Sequence, residues 1–78
     1  MRGQVTSQFV HTLAKGSRGD EVSALQQKLK DLGFFPADVA ASGMFGPLTQ
    51  KAVLAFQKAH GLDQIGAVGP KTRALLNQ

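Results

Sequence analysis

Hydrophobic positions recur along the chain in two long helical stripes and one short one. Val22, Leu25, Leu29 and Leu32 follow one another at three- and four-residue steps, which predicts an amphipathic helix from Arg18 to Leu32. Leu48, Ala52, Val53, Phe56 and Ala59 give a second stripe and a helix from Pro47 to His60. A third, short helix is expected from Pro70 to Leu76, with Leu75 and Leu76 turned inward. Before the first helix, "VTSQFVHTL" places Val5, Phe9 and Leu13 on one parity, the pattern of an extended arm laid over the other elements.

The boundaries between stripes repeat. "GMFGPLTQ" (43–50) and "GAVGPKTR" (66–73) share the frame glycine, any residue, apolar, glycine, proline, any residue, threonine. Proline lacks an amide hydrogen and has a fixed φ, so it suits the first helical position and pushes its predecessor to extended geometry. Gly46 and Gly69 therefore read as N-caps, Pro47 and Pro70 as first helical residues. Thr49 and Thr72 stand where a hydroxyl returns toward the cap, and Phe45 and Val68 where an apolar side chain fastens the incoming chain. Ser17 is the expected cap of the first helix, with Asp20 and Glu21 near the positive end of its dipole. "LGF" (32–34) and "HGL" (60–62) each set a glycine just past a helix end, with Phe34 and Leu62 packing back into the core. Within the long helices, "VSALQ" (22–26) matches "VLAFQ" (53–57). The fold class expected is all-α: a compact three-helix bundle built from an imperfectly duplicated helix-loop unit, with an extended N-terminal arm. Residues 1–12 are assigned to the arm, its opening "MRG" read as added residues, and 13–78 to the domain.

Length and composition narrow the picture. A chain of 78 residues allows one domain, whose small core leaves little room for a deep cavity. There is no cysteine, so thiolate catalysis, thiolate metal sites and disulfides are excluded. No apolar run reaches the ~20 residues of a membrane span, and no signal peptide opens the sequence, so an export address is expected elsewhere in a longer parent. The net charge of +4 is spread thinly, without the basic stripe or aromatic platform of a nucleic-acid binder. Of the acids, Asp20, Glu21, Asp31 and Asp63 fall at helix ends. The two histidines, His11 and His60, lack the i, i+4 partner of a zinc motif. Neither catalysis nor a metal or other cofactor is expected.

Three consecutive segments now resemble a known family. They are "L-x-x-G-S-x-G-x-x-V-x-x-L-Q-x-x-L-x-x-L-G" (13–33), "G-x-F-G-P-x-T-x-x-A-V-x-x-F-Q-x-x-x-G-L" (43–62) and "G-x-V-G-P-x-T-x-x-x-L" (66–76). The chain closely resembles the peptidoglycan-binding-like domain, a three-helix module attached to bacterial and phage cell-wall hydrolases and other envelope proteins. The resemblance implies a non-catalytic module that holds an attached enzyme or envelope protein on peptidoglycan, in the cell envelope or outside the cell. The same fold occurs in matrix metalloproteinase prodomains, where a cysteine blocks the zinc; without cysteine that role is excluded here. Two departures stand out. Ser42 replaces the aspartate many relatives carry before the first loop glycine, leaving a weaker turn hydrogen bond. The absence of tryptophan and tyrosine favours a stem-peptide or carboxylate ligand over stacking on sugar rings.

Candidate ligand residues follow from free polar groups and spare apolar side chains. The glycine caps Gly46 and Gly69 offer no side-chain oxygen, so the loops entering the second and third helices are candidates for a stem carboxylate, assisted by Lys71 or Arg73. The alternative is that water or the threonines satisfy those amides. Phe35, Met44 and Ile65 are candidates to edge a groove beside these loops; the alternative is that at least one belongs to the core, since a small domain needs every large apolar side chain. Gln26 and Gln57 are each placed to reach a neighbouring loop's carbonyl and amide, in a structural role or toward a ligand. The partners expected are peptidoglycan or its stem peptides and an attached domain, with the module itself a monomer, not inserted in a membrane and not bound to nucleic acid. A protein-interaction or structural module that keeps the fold without wall binding is the other class left open.

Overall fold

The computed structural model describes residues 9–78. Three helices follow in order: α1, Asp20–Asp31; α2, Pro47–Ala59; and α3, Pro70–Leu76. No strand forms among the described residues; two isolated antiparallel bridges, Leu13 with Val68 and Arg18 with Met44, tie the segments that precede the helices. Val5 of the expected arm lies outside the described residues. Phe9 and Leu13 are both buried, as their shared parity requires.

The proline starts and glycine stops fall where the sequence puts them. Gly46 and Gly69 are extended N-caps followed by Pro47 and Pro70, and Phe45 and Val68 are fully buried ahead of them. Past α1, the Gly33 amide bonds the Lys30 carbonyl and the Phe34 amide bonds that of Leu29 (2.8 Å). Past α2, Gly61 and Leu62 repeat those bonds to Lys58 and Gln57. Both ends are Schellman closures, and both glycines take the positive φ they need.

Several assignments shift. α1 begins at Asp20, not Arg18, with Gly19 in the cap position. Ser17 does not cap it: its hydroxyl accepts the Ala14 amide, closing the turn before the helix. The buried stripe of α2 is Thr49, Ala52, Val53, Phe56 and Gln57. Leu48 and Ala59 lie outside it and are exposed. The i, i+3, i+4, i+7, i+8 spacing holds, but it carries two polar residues inward, because Thr49 accepts from Gln26 of α1 and Gln57 bonds Thr72 and the loop entering α3. Leu32 is exposed as well. α1 ends at Asp31, and the Phe34 and Phe35 amides both turn back to the Leu29 carbonyl, so Phe35 closes that end of the core. Phe34 and Leu62 are half-buried rather than fully so; Leu76 is buried and Leu75 half-buried.

Phe56 is central, 2% exposed, with the Phe34 ring edge-on at 5.6 Å and the His60 ring at 4.2 Å. The arm is pinned by polar contacts. Asn77 accepts the Phe9 amide and donates to its carbonyl. The Glu21 carboxylate takes the amides of Val10 and His11 and the His11 ring at 2.7 Å. Partial burial opposes the charge on Glu21, but these hydrogen bonds outweigh it and hold the carboxyl below its usual range.

Candidate ligand site

Two buried glutamines organise the loops that enter α2 and α3. Gln26 donates through Nε2 to the Met44 carbonyl (2.9 Å) and to Thr49 Oγ1 (2.9 Å), while its Oε1 accepts the Gly43 amide (2.9 Å). Gln57 does the same one unit later: Nε2 to the Ala67 carbonyl (2.9 Å) and Thr72 Oγ1 (3.1 Å), Oε1 from the Gly66 amide (3.1 Å). The amide side chain has one acceptor and two donors, and each position is used. Of the two roles open to the glutamines, the geometry is the structural one. The threonines are corrected too: neither Gly46 nor Gly69 receives a side-chain cap bond, because Thr49 and Thr72 point their hydroxyls at the glutamines. Ser42 makes its turn bond, long at 3.3 Å, to the Met44 amide.

Each clamp backs a hollow. The larger, about 390 Å³, lies between the end of α2 and the start of α3 and is lined by Gln57, Gly61, Leu62, Asp63, Ile65, Gly69, Pro70, Lys71 and Thr72. The smaller, about 170 Å³, includes Gln26, Phe35, Val39, Met44, Gly46, Leu48 and Thr49. Loop length explains the difference. Nine residues (34–42) separate the helix-stop glycine from the clamped glycine in the first copy, and four (62–65) in the second. The longer loop folds Phe35 and Val39 into its own hollow; the shorter cannot fill the second.

The sequence candidates divide between these places. Ile65, Gly69 and Lys71 share the larger hollow. Met44, Gly46 and Phe35 line the smaller, with Phe35 only 4% exposed as a core residue and Met44 half-exposed at the rim. Arg73 joins neither: two positions beyond Lys71 it faces away and donates to Thr12 Oγ1 at 2.9 Å. Glu21, Asp31 and His60 are engaged within the chain. Glu21 holds the arm, Asp31 accepts from Gln27, and His60 Nδ1 meets the Phe56 carbonyl. Among the described residues no group of three His, Cys, Asp or Glu is placed to hold a metal ion. No described helix is long and apolar enough to cross a membrane.

The family described as "putative peptidoglycan binding domain" matches residues 18–76, which spans all three helices and both clamps. The chain belongs to that family. As a peptidoglycan-binding domain it is 43% identical over 61 residues to the zinc D-Ala-D-Ala carboxypeptidase of Streptomyces albus G, covering 78% of this chain and 24% of the relative. It is also 43% identical to the N-acetylmuramoyl-L-alanine amidase CwlM of Mycobacterium tuberculosis, over 69% of this chain and 13% of the amidase. The chain thus spans a quarter or less of these two relatives. Its fold superposes on the SleB N-terminal domain with a TM-score of 0.80 at 35% identity, covering 85% of this chain and 88% of the other. The L,D-transpeptidase of Xylanimonas cellulosilytica gives 0.79 at 51% identity, over 88% and 33%. Within this peptidoglycan-binding domain, sequence reasoning missed Asp63, Leu62 and Pro70 as lining residues. Each had a complete local explanation as a helix stop or start; the signal that finds them is the shortened second loop, which leaves them uncovered.

Proposed function

We propose that this chain is a non-catalytic wall-binding module that holds an attached enzyme or envelope protein on peptidoglycan, at the bacterial envelope or outside the cell. The observation that carries the reading is the family match across the whole helical unit, together with the likeness to a D-Ala-D-Ala carboxypeptidase and an N-acetylmuramoyl-L-alanine amidase of which this unit is a minor part. The ligand is a stem peptide rather than the glycan face, since no tryptophan or tyrosine is present to stack on sugars. It sits in the larger hollow, where Leu62, Ile65 and Pro70 supply apolar wall and Lys71 a cation for a carboxylate. The module acts as a monomer, without cofactor, and any chemistry belongs to the attached domain. Binding of one muropeptide is weak, in the micromolar to millimolar range, about 4–8 kcal/mol, and a polymer of repeated ligands raises retention. Co-sedimentation of the chain with purified, insoluble sacculi tests this. Retention at low salt supports it. Complete failure to pellet turns the reading to a protein-interaction module, for which the exposed Met44 and Leu48 beside the smaller hollow are the contact surface.

A further inference from the structure

The two hollows are copies of one design, and only one of them is charged. Both have the same glutamine clamp, the same threonine and the same glycine-proline entry. The smaller hollow has no charged lining residue, and Leu48 stands where the larger one has Lys71. The clamp and turn therefore form without charge. Lys71 and Asp63 are additions of the second copy, on the rim of the hollow that the short loop leaves open.

Both side chains are exposed and uncommitted. Among the described residues the only ion pair is His11 with Glu21, so Asp63 and Lys71 do not pair with each other, and neither side chain makes a hydrogen bond there. A site for a bare carboxylate gains nothing from an acid on its wall, because like charge works against the wanted ligand. In a chain of net charge +4, cations for a simple anion are plentiful elsewhere. An acid and a base on one hollow, which apolar Leu62, Ile65 and Pro70 also line, fit a ligand that carries both charges on a short apolar stem. We infer that the larger hollow receives a zwitterionic amino-acid end of a peptide, its ammonium toward Asp63 and its carboxylate toward Lys71. The inference rests on the wall-binding reading and narrows its ligand.

The test uses the full chain and one stem tripeptide, L-alanyl-γ-D-glutamyl-meso-diaminopimelate, in three forms: free, acetylated on the side-chain amine, and amidated on the side-chain carboxyl. Affinities come from NMR titration, with Lys51→Gln, outside both hollows, as the control. The parent and the control are expected to bind the free form at least ~5-fold more tightly than either blocked form. Asp63→Asn is expected to lose the distinction between free and acetylated peptide while keeping that between free and amidated. Lys71→Gln is expected to do the reverse. Equal binding of all three forms by the parent, absence of tripeptide binding, an Asp63→Asn chain that still distinguishes free from acetylated peptide, or a Lys71→Gln chain that still distinguishes free from amidated peptide overturns the inference. Pelleting with sacculi is measured in parallel. A parent that pellets without discriminating the peptides removes the zwitterion inference and leaves the wall-binding reading standing; a parent that does not pellet removes both.

Discussion

Replacing Gln57 by methionine removes one amide group from the interior while keeping an unbranched side chain of similar length and helix preference. Gln57 is 0% exposed and makes three hydrogen bonds, to the Ala67 carbonyl, the Thr72 hydroxyl and the Gly66 amide. At about 1 kcal/mol net for each, their loss costs about 3 kcal/mol, and stranding the buried Gly66 amide raises the figure toward about 5 kcal/mol. A domain of this size holds about 4–12 kcal/mol in total, so the variant loses a large share of its stability. The melting temperature is expected to fall by at least ~12 °C. Far-ultraviolet circular dichroism is the assay, since the chain has no tryptophan or tyrosine for fluorescence. Gln26→Met, which breaks the matching clamp, is expected to cost a similar amount. A double-mutant cycle of Gln57→Met with Thr72→Val isolates the side-chain pair. If Gln57→Met melts within ~4 °C of the parent, water replaces the amide at little cost and the clamp does not organise the loop.

Phe56→Ala, at a fully buried ring packed against those of Phe34 and His60, is expected to cost about 3–5 kcal/mol; a melting temperature near the parent's refutes its central place. Glu21 is held below its ordinary proton affinity, so its contribution is complete above the unfolded carboxylate range and is lost as pH falls through the lower folded value. Glu21→Gln should therefore flatten the acid limb of a stability-against-pH curve, and an unchanged limb contradicts that. Lys71→Glu is expected to weaken retention on sacculi with little change in melting. Arg73→Glu, whose guanidinium faces Thr12 and not the hollow, is expected to leave retention near the parent's; equal losses in the two variants move the site away from the hollow.

Much of the fold is legible in local chemistry. Pro47, Pro70, Gly33 and Gly61 act through their own backbone geometry, so their positions follow from the sequence without knowledge of the tertiary structure. Stripe membership is less legible, because it depends on what lies opposite. Leu48 is exposed while Thr49 and Gln57 are buried, an inversion of hydropathy caused by a partner 15 residues away for Gln57 and 23 for Thr49. Ser17 had the right residue type for a cap, but its hydroxyl found the Ala14 amide first. The site was read in fragments. Ile65, Gly69 and Lys71 do meet, whereas Arg73, near Lys71 in sequence, does not join them, because two residues along a helix face different ways. Asp63 has a sufficient local explanation at a helix end, and only the unequal loops reveal it as a hollow-lining acid.

The measurement closest to the central claim is a map of backbone amide shifts as a soluble muropeptide is added to the chain. The account predicts that the changes gather on residues 57–72, around the larger hollow, and leave residues 26–49 around the smaller one near their free positions. Changes centred on 26–49, or on neither clamp, contradict it.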